Sequence, residues 1–156
     1  MTNEAVGAIF LSKKTGRMML NLRSDSATYS NNWGFVGGKI ESGELPLQAL
    51  HREMNEELGD SVPMIEDIIP FDVFSTKNCK FRYYSFIVVV PEEFIPELNH
   101  ESAGYSWVRI GNWPKPLHPG AKSTLYNTNI VTDFNALWES IKNGKPFFNS
   151  LPSSIF

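Results

Sequence analysis

Glu53, Glu56 and Glu57 are spaced i, i+3 and i+4, so on a helix of 3.6 residues per turn all three carboxylates share one face. Like charges at this spacing repel, weakly in water and more strongly when partly buried. Most acidic helix faces are simply solvated and interleaved with lysines. Between Leu45 and Asp60 there is no lysine, and Arg52 is the one arginine. The compensating cation must come from outside the chain. Clustered hard oxygens suit Mg2+, with Mn2+ as the alternative, and Mg2+ typically takes one or two carboxylates together with waters and substrate phosphates.

A carboxylate face needs a helix to hold it. Leu47, Leu50, Met54 and Leu58 recur at three- and four-residue steps, which predicts a helix over Pro46–Leu58 with an apolar stripe beside the glutamates. Pro46 fits its first turn and Gly59 the position just past its end. Leu45 is a poor N-cap, so a slightly frayed start is expected. Upstream, Gly37 and Gly38 permit backbone angles closed to other residues and a close approach of a ligand to the chain.

The remaining chain supplies strands and a second helix. Residues 5–12 and 17–24 read as a β-hairpin, WGFVGG as a short aromatic strand, 68–76 and 80–90 as two strands joined at Lys77-Asn78, and 105–110 as another strand. NWPKPLHPGAKS reads as a loop. Residues 128–142 read as a helix with Ile130, Phe134, Leu137, Trp138 and Ile141 on one face, closed by Asn143-Gly144. The tail KPFFNSLPSSIF is apolar but broken by proline. With no repeat or linker, residues 1–156 form a single domain of the α/β class, a mixed sheet between helices.

Net charge is −3 and the pI about 5.6, which argues against a broad nucleic-acid surface and leaves phosphate binding to metals or a local Lys/Arg cluster. The apolar run in FIVVVP is far too short to cross a membrane. Cys79 is the single cysteine, so an intramolecular disulfide is excluded and a cytoplasmic location is expected. Cys79 itself reads as an inert strand residue.

These residues resemble one family closely. The Nudix hydrolase signature is G-x5-E-x7-R-E-U-x-E-E-x-G-U, with U a bulky aliphatic residue. Gly38, Glu44, Arg52, Glu53, Met54, Glu56, Glu57 and Gly59 match it, and Asp60 departs at the last position. With residue types used at roughly 6% each, a chance match of seven has a probability on the order of 10⁻⁷ to 10⁻⁶. The resemblance implies the Nudix fold, an α/β/α arrangement. It implies attack of water on phosphorus in a nucleotide diphosphate linkage, with Glu53, Glu56 and Glu57 as metal ligands and the Gly38 carbonyl as a further one. Glu44 and Arg52 would tie the glycine loop to the helix. The general base would be Glu53 or Glu56 within the signature, or a later glutamate among Glu92, Glu93, Glu97 and Glu101. Glu101 stands out because ESAGYSW resembles the family's E-H-x-x-Y-x-W segment, with Ser102 in place of the histidine. His100 and His118 read as surface loop histidines, with PLHPG (116–120) as a stretch that would border the cleft.

For the substrate the sequence says less. The ADP-ribose marker proline and the dinucleoside-polyphosphate marker tyrosine would fall near Ser75–Asn78, and neither is there. NNWGFVGGKIESGE resembles the branch that cleaves (d)NTP to NMP and pyrophosphate. ADP-ribose, dinucleoside-polyphosphate or nucleotide-sugar hydrolysis are the alternatives, as is 5′-end RNA pyrophosphohydrolysis, and a non-catalytic nucleotide sensor is the competitor of another class. Arg23, Lys39 and Arg82 are the candidate phosphate contacts, and Phe81, Tyr83, Trp107 and Trp113 the candidate stacking aromatics. A small-molecule nucleotide is the expected partner, and a homodimer is compatible with the resemblance.

Overall fold

The computed structural model describes residues 2–127 and 129–144; the apolar tail lies outside them. Ten residues, with no polar side chain from Ala5 to Leu11, form the central strand β1 (Asn3–Ser12), eight of them buried. β1 pairs in parallel with β6 (Phe81–Val90) along its whole length, from Asn3–Phe81 to Ser12–Val90. Both strands carry apolar residues on both faces, as expected of strands covered on each side. β5 (Asp67–Ser75) adds antiparallel to β6, with a register shift between Pro70 and Asp72.

The expected hairpin of β1 with β2 (Met18–Arg23) forms, but the two strands are registered at Leu11–Met18. Beyond that point β1 pairs with β4 (Val36–Lys39), while β2 pairs with β3 (Trp33–Gly34) on one side and β7 (Ser102–Val108) on the other. The WGFVGG segment is thus split between two partners. That division lays Gly34, Phe35, Gly37 and Gly38 along the wall of one cleft.

Helices cover both faces of this seven-stranded mixed sheet. Below it, Ala49, Leu50, Met54 and Leu58 of α1 (Pro46–Leu58) pack on Val6, Ala8, Phe10, Phe86 and Val88. Leu47, assigned to the stripe from its spacing, is exposed, and Ala49 takes its place in the core. On the other face, α2 (Pro119–Leu125) and α3 (Ile130–Lys142) cover Ile9, Leu11, Leu20 and Ile87 with Ala121, Leu125, Phe134 and Leu137. Trp138 of α3 donates its indole N–H to the Lys13 carbonyl at 3.0 Å. α2 corrects the loop reading of NWPKPLHPGAKS. Two prolines and a glycine in the five residues 116–120 read as a loop, yet Pro119 occupies the first turn, where its missing N–H costs nothing, and His118 caps it.

Two smaller expectations also change. Cys79 lies in the exposed turn between β5 and β6 with φ of +57°, and does not lie in a strand. The α1 start has no side-chain cap from Leu45, but Gln48 Oε1 accepts the Leu45 N–H at 2.8 Å, which satisfies one group that the sequence left orphaned. Among the described residues no helix is long and apolar enough to cross a membrane.

Candidate active site

α1 carries the acidic face to the rim of a cleft of about 880 Å3, and the three glutamates of that face are not equivalent. Glu57 is 8% exposed and accepts the Gly37 N–H at 3.0 Å. Burial pushes its carboxyl up to about 8, with the charges of Glu53 and Glu101 adding to the effect, while the Gly37 N–H and the Arg23 charge oppose it. The Glu53 side chain is 12% exposed, and burial raises its carboxyl too, against the pull of Arg52. Glu56 is 54% exposed and faces solvent.

Glycine is required where these carboxylates meet β4. A Cβ on Gly38 would stand 2.5 Å from Glu53 Oε1, and one on Gly37 would collide with the Val6 carbonyl. Arg52 organises the junction from the helix side. Its Nε and Nη2 fork onto the two Glu44 oxygens at 2.8 and 2.9 Å, Nη2 donates to the Lys39 carbonyl at 2.9 Å, and Nη1 reaches Glu53 Oε1 at 3.0 Å. This fork holds the Glu44 carboxyl down at about 2.

Glu101 joins from the far side of the sequence. It lines the cleft, and its charge reaches both Glu53 and Glu57. The end of β2 holds its loop in place: the Ser24 N–H donates to the Glu101 carbonyl at 2.9 Å, and the Ser24 and Ser26 hydroxyls donate to the His100 carbonyl at 2.6 and 2.9 Å. Asn21, buried beneath this junction, donates to Ser102 Oγ at 3.4 Å. None of these polar anchors was legible in the sequence, because each pairs residues 70 or more positions apart.

The other candidates divide. Arg23 and Lys39 line the cleft, and so do Phe81 and Tyr83. Arg82 does not; it pairs with Glu4 at 3.5 Å. Trp107 donates to the Phe94 carbonyl and packs edge-on against Phe94, and Trp113 packs near Phe134 in the core. Glu92 and Glu93 are paired with Lys14 and Arg17 and, like Glu97, are not part of the cleft wall. His118, expected at the surface, is partly buried and lines the cleft opposite Gly34.

Among the described residues no three Asp, Glu, His or Cys side chains are gathered to hold one metal ion by themselves. The donor chemistry still fits a hard cation. The Gly38 cradle brings a carboxylate against a backbone segment with no intervening Cβ, and Mg2+ takes few protein carboxylates and completes its shell with waters and phosphates.

The model of the NUDIX domain matches residues 1–127. The chain belongs to the Nudix family. It is 28% identical over 102 residues to the nucleoside triphosphatase NudI of Escherichia coli, covering 59% of this chain and 72% of that protein. The 8-oxo-dGTP diphosphatase of Haemophilus influenzae is 37% identical over 54 residues, 35% of this chain and 40% of its own length. The MutT NUDIX hydrolase of Burkholderia pseudomallei superposes with a TM-score of 0.60 at 22% identity, covering 82% of this chain and 98% of that one. Family membership and these named relatives make the protein a Nudix pyrophosphohydrolase.

Proposed function

We propose that this Nudix hydrolase cleaves nucleoside triphosphates, (d)NTP to NMP and pyrophosphate, in a Mg2+-dependent reaction. One observation carries the reading: a single cleft is lined both by the carboxylates Glu53, Glu56 and Glu101 and by the aromatic rings of Phe74, Phe81 and Tyr83. That is the size and polarity a nucleotide requires, with carboxylates to hold metals for its phosphates and rings to meet its base. The triphosphatase and diphosphatase relatives support it.

Glu53, Glu56 and Glu57, with the Gly38 carbonyl, are the residues that would hold the metal. A bound divalent cation offsets diphosphate charge and acidifies the attacking water. Glu101, Glu53 and Glu56 are the carboxylates at the cleft able to take the proton from that water. Arg23 and Lys39 would steer the phosphates as the cleft's cations, while Arg52 and Glu44 fix the loop against the helix. Retention of every signature glutamate favours catalysis over a sensor role.

Glu101→Gln is expected to lower kcat with little change in KM, by roughly 10²-fold or more if it is the base, as read by steady-state kinetics; unchanged kinetics would return the role to the signature. Arg52→Lys keeps the charge but loses the fork. It is expected to reduce kcat by roughly 10–100-fold, as for residues that orient ligands, and a wild-type rate would remove Arg52 from the positioning role. The function itself is tested by pyrophosphate and phosphate release with Mg2+ and with EDTA across (d)NTPs, ADP-ribose, dinucleoside polyphosphates, nucleotide sugars and 5′-triphosphate RNA. Preferential Mg2+-dependent release of pyrophosphate from (d)NTPs is expected, and inactivity on them would overturn the reading.

A further inference from the structure

The cleft wall includes an imidazole, that of His118, whose tautomer is set by a main-chain N–H. The His118 main-chain N–H donates to the Trp33 carbonyl at 2.7 Å and the His118 carbonyl accepts the Lys122 N–H at 2.8 Å, which anchors the residue's backbone between β3 and α2. The Gly120 N–H then donates to His118 Nδ1 at 3.0 Å. A backbone amide can only donate, so Nδ1 must present its lone pair, and the proton of the neutral ring sits on Nε2. Tyr29 closes one face, edge-on with 4.9 Å between centroids. Gly34 packs against the base of the side chain so closely that a Cβ there would lie 3.3 Å from His118 Cβ.

Nε2–H has no hydrogen-bond partner among the described residues, although the ring borders the cleft. Burial, aided by the Arg23 charge, holds the imidazole down at about 4, so the ring remains neutral at physiological pH. With Nδ1 occupied, His118 can only donate to a ligand. A donor-only group favours a ligand with an acceptor at that point, and it is left facing another donor by a ligand carrying an amino group there.

We infer that His118 determines base specificity, its Nε2–H reading the exocyclic carbonyl of a keto base (guanine, thymine or uracil) and disfavouring the amino bases adenine and cytosine. This rests on the nucleotide reading of the cleft. The pairs that isolate it are guanine against adenine and thymine against cytosine, which swap a carbonyl for an amino group on rings of the same size.

The test is kcat/KM for dGTP, dATP, dTTP and dCTP with the wild type, His118→Phe and His118→Gln, with folding followed by thermal unfolding. The wild type is expected to prefer dGTP over dATP and dTTP over dCTP by roughly tenfold or more. His118→Phe removes the donor and should bring both ratios to within about threefold of unity. His118→Gln offers both a donor and an acceptor, and should raise dATP and dCTP relative to their keto partners; if the Phe variant does not fold, the Gln variant decides. Turnover with no keto preference in the wild type, or with ratios unchanged in the variants, would overturn the role of His118 alone. No turnover of any of the four would overturn the nucleotide reading and this inference with it.

Discussion

Glu57→Gln should lose Mg2+-dependent turnover by at least about a hundredfold, since even residues that merely orient metal ligands cost 10–100-fold when removed, and should at the same time make the metal-free protein more stable at alkaline pH. The two effects share one cause. Glu57 is buried on α1 against the Gly37 N–H, and burial outweighs that hydrogen bond, raising the carboxyl from 4.5 to about 8. A group whose folded-state value is raised contributes stability that is complete below its unfolded value and is lost as pH rises through the folded one. Stability from Glu57 is therefore full below about pH 4.5 and gone above about pH 8. The shift corresponds to an order of 3–5 kcal/mol between those limits. Glutamine keeps the shape and an oxygen for the Gly37 N–H but never ionises. In EDTA, melting temperatures of wild type and variant should coincide near about pH 4 and diverge near about pH 8.5, with the variant higher. Mg2+ should raise the wild type and leave the variant where it was. Identical pH dependence of the two proteins would show that Glu57 does not titrate as its burial requires, and retained turnover would remove it from the metal site.

The two adjacent glycines should fail in different ways. Gly37→Ala places a methyl group onto the Val6 carbonyl, in the middle of the β1–β4 ladder. Neither strand can yield without breaking its pairing, so a loss of about 2–3 kcal/mol is expected, a fall in Tm of roughly 5–10 °C for a domain of this size. Gly38→Ala meets only the end of a flexible side chain, the Glu53 carboxylate at 2.5 to 2.9 Å. The fold should survive while the carboxylate is displaced by about an ångström, enough to cost on the order of 10²-fold in kcat. Thermal unfolding and steady-state kinetics on the two variants check this directly. A stable Gly37→Ala protein, or a fully active Gly38→Ala protein, would show that the cradle is not as tight as its geometry.

Local pattern made the acidic helix legible. The i, i+3, i+4 glutamates, the proline at the first turn and the glycine past the end are all short-range signals, and α1 begins at Pro46 and ends at Leu58 as they predict. The long strands were legible for the same reason, since β1 and β6 each carry a long apolar stretch, Ala5–Leu11 and Phe86–Val90. What local pattern could not assign was exposure at a boundary. Leu47 has the right spacing for the stripe but lies in the first helical turn with its side chain exposed, whereas Ala49 packs into the core against the sheet. The helix α2 escaped notice because Pro-Gly reads as a turn until a packed sheet surface and the His118 cap hold it helical.

The sequence by itself determined the family signature, the helix that bears it and the chemistry its carboxylates can perform, because these depend on residue type and near spacing. Only the tertiary structure decided which side chains share the cleft. Pairing of β7 with β2 and the polar anchors of the 98–101 loop bring Glu101 within electrostatic reach of Glu53 and Glu57, across more than forty residues of chain. Pairing of β3 with the Pro116–His118 segment turns a histidine that reads as surface into a partly buried, donor-only ring. The same packing sends Arg82 to Glu4 and Trp107 to Phe94, away from the cleft. Charge and ring type are written in the residue, but direction is set by strand register, and register is a property of partners distant in the chain.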